Sequence, residues 1–96
     1  MEKAVPDKDA SPERLQALRE ENRNLRFLRF LVDLALMEIR AGSFTLEEAE
    51  KVVENVRSQA LQLFPGKETA FEWIYRPRFR RAIAETFNII WHPARN

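Results

Sequence analysis

Apolar residues along the chain recur every three or four positions, and nowhere do they alternate with polar ones for long enough to build a strand. From Ser11 the helical period runs to Arg40 without a breaker, and Gly42 supplies the stop. Ser11 is the expected N-cap. Pro12 takes the first helical position, where no amide hydrogen is needed, and Glu13 complements the helix dipole. The spacing thus predicts a first helix over 12–41. A second is predicted over 46–64, opened by a capping box of Thr45 and Glu48. Leu46, Ala49, Val53, Val56, Ala60, Leu63 and Phe64 share one stripe with Val52 beside it, and Pro65-Gly66 ends the helix. A short third helix over 67–75 turns Phe71, Ile74 and Tyr75 inward. Pro77 starts a fourth over 77–91, whose inner face is Phe79, Ala82, Ile83, Phe87, Ile90 and Trp91. Pro93 stops it.

The expected fold is all-α: a small helical bundle of about four helices with an overlong first helix, completed by dimerisation. One helical domain over 11–92 lies between a flexible leader, 1–10, and a tail, 93–96. About thirty residues at 1.5 Å each make a rod of roughly 45 Å, while a body of about 80 residues is only some 30 Å across. The amino-terminal part of the first helix is therefore expected to project. It is polar apart from a narrow seam of Leu15, Leu18, Asn22 and Leu25, spaced as positions a and d of a coiled coil. The same register continues through Val32, Leu36 and Ile39. Asn22 at an a position fixes register in two-stranded coils, whereas Arg14 and Arg19 repel across a parallel pair. From Leu25 to Ile39 the helix is apolar around roughly two-thirds of its circumference. Either the other helices wrap it completely or a second copy covers one side, and the second copy is the reading adopted.

Composition narrows the chemistry. The 96 residues contain no cysteine, two glycines and one histidine. That leaves no disulfide framework or thiolate site, no glycine-rich phosphate loop and no histidine cluster within one chain. No cofactor or metal is expected. The net charge is +1, with a pI near 8.2, below the strongly basic range typical of nucleic-acid-binding domains. Residues 1–10 lack the apolar run of a secretory signal, and the apolar segment 27–39 is too short and too charged to cross a membrane. A cytoplasmic protein without membrane contact is expected.

Charge is uneven, however. Arg76, Arg78, Arg80 and Arg81 crowd the start of the fourth helix, the end that carries partial positive charge and disfavours cations. Compensation is expected from Glu47, Glu48, Glu50 and Glu54 of the second helix, with Arg81 pairing Glu85 one turn on. The alternative is an external anion, either an acidic protein or a nucleic-acid backbone. Trp73 lies off the inner stripe of the third helix and suits an exposed anchor. His92 has no nucleophile beside it, the carboxylates Glu47, Glu50 and Glu54 interleave with Lys51 and Arg57, and Asp33 is accounted for by Arg29 one turn earlier. The expected function is non-enzymatic: an interaction or scaffolding module that forms a homodimer through its first helix. The alternative is a dimeric nucleic-acid-binding accessory protein that uses the four arginines on phosphates.

Overall fold

The computed structural model describes residues 11–88; the leader, Ile90, Trp91, His92 and the tail lie outside the described residues. Within them every regular element is helical, in the order α1 (Pro12–Arg40), α2 (Leu46–Leu63), α3 (Glu68–Ile74) and α4 (Arg76–Thr86). Three of these have more than ten residues, and α3 has seven.

The caps sit where local chemistry demands them. The Ser11 hydroxyl accepts from the Arg14 amide at 3.1 Å, and Pro12 opens the first turn of α1. At the other end the chain turns through Gly42, whose φ of +78° only glycine adopts cheaply. Both halves of the second capping box form: the Glu48 amide donates to the Thr45 hydroxyl at 3.1 Å, and the Thr45 amide donates to the Glu48 carboxylate at 2.9 Å. Gly66, at φ +81°, reverses the chain after α2. A single residue, Tyr75, separates α3 from α4.

One expected boundary moves. The fourth helix was expected to reach residue 91, but α4 ends at Thr86. The Phe87 amide donates to the Ile83 carbonyl at 2.9 Å, and Asn88 takes a left-handed φ of +57°. Asparagine is the residue other than glycine that most readily ends a helix this way.

The core is assembled along one side of α1. Leu28, Val32, Ala35, Leu36 and Ile39 are buried against Ala49, Val53, Val56 and Ala60 of α2, Phe71 of α3, and Phe79 and Ala82 of α4. Phe44, Val52, Leu63, Phe64, Tyr75, Ile83 and Phe87 close its edges. Alanines on α2 and α4 let those helices approach closely, so the larger side chains of α1 fill the space between them. α2 runs back along α1, while α4 runs parallel to it: Asp33 meets Arg78 and, seven residues on in both helices, Arg40 meets Glu85. α3 packs on α2 and α4 without touching α1 closely. Ile74, expected to face inward, is more than half exposed, because so short a helix buries only the side that carries Phe71.

Residues 11–23 are exposed throughout, and the first buried side chain of α1 is Leu28. The molecule is correspondingly elongated, 56 × 33 × 27 Å. No helix among the described residues is long and apolar enough to cross a membrane.

Phe79, fully enclosed, is the side chain whose loss leaves the largest hole. Phe79→Ala is expected to lower the unfolding free energy by about 3–5 kcal/mol, against about 1 kcal/mol for Thr45→Ala, which removes only a cap. Urea unfolding followed by circular dichroism measures both, and equal losses would mean that the core is not centred where α4 meets α1.

Candidate functional site

The four arginines meet different fates. Arg76 follows Glu72 by four residues across the α3–α4 junction, and its guanidinium donates to both Glu72 carboxylate oxygens at 2.8 and 3.0 Å. It donates also to Glu54 of α2 at 2.7 Å, with Phe71 beneath it at 5.8 Å from the ring centroid. Arg57 completes the cluster by donating to Glu72 at 2.8 Å. The hydrogen bonds from Arg76, reinforced by those from Arg57, pull the Glu72 carboxyl down to about 2, although partial burial opposes them. Its bonds to Glu72 foremost, and to Glu54, hold the Arg76 guanidinium above its ordinary value, although burial opposes them.

Arg78 lies 3.6 Å from Asp33 of α1. Arg80 and Arg81 are exposed and form no ion pair among the described residues. Three expected pairings are thus corrected. Of the four α2 glutamates only Glu54 reaches the cluster; Glu48 is occupied in its cap. Glu85 pairs with Arg40 at 3.5 Å instead of Arg81, and Asp33 pairs with Arg78 instead of Arg29. Glu72, which holds the network together, was missed; its one signal was the four-residue spacing to Arg76, hidden by the helix break at Tyr75. Of the two carboxylates lining the cleft between α2 and α4, Glu54 is engaged with Arg76 in an ion-pair junction, while Glu50 forms no ion pair among the described residues.

The seam on α1 divides. Val32, Leu36 and Ile39 are 0, 6 and 0% exposed, inside the chain's own core. They cannot meet a second copy, because α2 and α4 already cover that side of the helix. Leu15, Leu18 and Asn22 are exposed on the projecting part. Leu25 is half-buried, at the mouth of an open apolar groove of about 300 Å³ bounded by Phe64, Phe71, Ile74 and Tyr75. Trp73 is 79% exposed near it in sequence.

A second apolar stripe lies on the other side of α1. Phe27, Phe30 and Met37 are 45, 60 and 63% exposed, and Leu34 between them is half-buried. Their 3-4-3 spacing is that of a helix-packing seam. At about 100° per residue, its centre falls roughly 150° from the centre of the core stripe, so it faces away from α2 and α4. No metal-binding group of three acidic, histidine or cysteine side chains occurs among the described residues.

No protein-family model, curated protein or solved structure matches the chain. The two features that stand out, the ion-pair junction and the outer apolar stripe, therefore rest on their own geometry. The junction joins three helices of the chain to one another, and the stripe leaves Phe27, Phe30 and Met37 exposed.

The junction has a pH signature. A carboxyl depressed on folding stabilises the folded state above its unfolded value of 4.5 and loses that contribution as pH falls through about 2. Between pH 6 and pH 2, the thermal midpoint of the wild type is expected to fall further than that of Glu72→Gln, as followed by circular dichroism. Parallel curves would show that the junction contributes no stability.

Proposed function

We propose that this protein is a non-enzymatic interaction module that self-associates through its first helix, and that copies meet on the outer stripe of Phe27, Phe30, Leu34 and Met37. The observation that carries this reading is the exposure of three of those four side chains, in register, on the face of α1 opposite the core. Single exposed apolar residues are ordinary, but a contiguous line of them, including two phenylalanines, marks an association surface. The four-helix arrangement covers α1 on one side only, and a second copy supplies the missing cover. Each phenylalanine removed from water contributes about 2 kcal/mol, and a symmetric contact counts each one twice.

The acidic-protein and nucleic-acid readings of the arginine cluster have less support. Arg76 and Arg78 already hold carboxylates of the same chain, which leaves Arg80 and Arg81 as the cations of that group with no ion pair among the described residues. The projecting part of α1, with Leu15 and Leu18, stays outside the proposed contact and gives the module a place for a further partner, in keeping with a scaffolding role.

Light scattering tests the proposal. The wild type is expected at about 23 kDa, twice the chain mass of 11.4 kDa. Phe30→Glu should weaken association by about three orders of magnitude and give a monomer with unchanged helix content, whereas Leu18→Glu should remain dimeric. A Phe30→Glu dimer of undiminished affinity would place the interface elsewhere, and a wild-type monomer at millimolar concentration would end the self-association reading.

A further inference from the structure

Resting on self-association through α1, we infer that the two copies meet with their first helices antiparallel, related by a two-fold axis at the level of residue 32. The stripe itself sets this level. Placed antiparallel, Phe27 of one copy lies opposite Met37 of the second, and Phe30 opposite Leu34. Every layer then pairs one aromatic ring with one slimmer aliphatic chain, so the helices keep a constant separation along the contact. Placed parallel, Phe27 and Phe30 stack on their own copies at one end, and Leu34 and Met37 on theirs at the other. The helices would then be forced apart at the aromatic end and leave a gap at the aliphatic end.

The charge at the amino end of the stripe favours the same arrangement. Arg23 is the next residue of the stripe, one turn before Phe27, and is exposed. A parallel pair sets the two Arg23 guanidinium groups against each other in line with an apolar seam. An antiparallel pair sets Arg23 opposite Ala41 of the second copy, the carboxyl end of that helix, where unpaired carbonyls and the negative end of the dipole favour a cation. Along the edges of the stripe, a parallel pair brings Asp33 against Glu38 of the second copy twice. The antiparallel pair brings Asp33 near its own copy once, at the axis, and each is already paired with Arg78 at 3.6 Å. Arg26 then falls opposite Arg40 of the second copy, which Glu85 holds at 3.5 Å.

The antiparallel contact occupies about residues 24–40 of each chain, some 25 Å of helix. The first dozen residues of α1 extend past the second copy at either end, so the assembly carries two identical arms pointing in opposite directions, each with its own Leu15 and Leu18. Partners bound there are held far apart, a geometry a parallel pair lacks.

The chain contains no cysteine, so a single Gln16→Cys change, on an exposed polar position of the arm, carries one spin label per copy. Pulsed electron-spin distance measurement is expected to give about 48 Å between labels, because residue 16 of the second copy lies some 32 residues further along the axis. A dimer with labels within about 20 Å would overturn the antiparallel arrangement and leave self-association standing. A labelled chain that is monomeric by light scattering would overturn both. A second measurement is independent of the labels: a mixture of Phe27→Cys and Met37→Cys chains should form mixed disulfides under oxidation, while either alone should not. Cross-linking of Phe27→Cys to itself would again overturn the inference.

Discussion

A helix of 29 residues presents a complete cylinder, and the three shorter helices that follow it can line only part of that surface. α2 and α4 both settle on the side that carries Leu28, Val32, Ala35, Leu36 and Ile39, and α3 fills the angle between them, reaching the α1 core through Phe71 and not through close backbone packing. Everything else follows from this one-sided covering. The polar line of Asn22, Arg26, Arg29, Asp33 and Arg40 borders α4, where its charges find Arg78 and Glu85. The apolar line on the far side meets no other helix among the described residues. The projecting end is long because α2, at 18 residues, cannot run back the full length of α1.

The ion pairs hold the shorter elements to this spine. Seven residues are too few for a stable helix on their own, so α3 depends on what it docks against. Phe71 supplies the buried contact, and Glu72 supplies the tie to Arg57 on α2 and Arg76 on α4. Individual exposed pairs stabilise little, but here one carboxylate joins three helices, and loosening it frees Arg57 and leaves Arg76 held by Glu54 alone. The junction also explains why α4 tolerates arginines at an end whose dipole repels them. Carboxylates from α1, α2 and α3 surround that end and position Arg76 and Arg78.

The elements were legible because their signals are local. Ser11 with Pro12, Thr45 with Glu48, and Gly42 and Gly66 in left-handed turns act within a few residues, and each sits where such chemistry places it. The side of α1 that turns inward was not legible. Two apolar stripes with helical spacing share that helix, and nothing in their spacing says which one meets α2 and α4. The choice depends on the partners' surfaces: Ala49, Ala60 and Ala82 make a close-fitting wall for branched aliphatic chains, and the bulkier phenylalanines remain outside. The seam read from the sequence thus joined residues of two fates, Leu15 and Leu18 exposed, Val32 and Ile39 enclosed. The pairing of Arg78 with Asp33 was hidden for a related reason, since residues 45 positions apart become neighbours only once α4 runs parallel to α1.

Placing the core and the outer stripe on opposite sides of one helix makes folding and association separable. Leu28, Val32 and Ile39 are enclosed by the chain's own helices, so in the proposed association a second copy meets a surface that already has its final shape and little ordering entropy opposes it. A projecting stretch of helix loses rigidity without tertiary support, yet here it continues directly from a segment clamped by α2 and α4. Its direction is therefore set by the core, and so is the direction of the stripe that begins at Phe27. The same rigidity that leaves Phe27, Phe30 and Met37 exposed also aligns them with Leu34 along one straight line, which is what the proposed antiparallel contact requires of each copy.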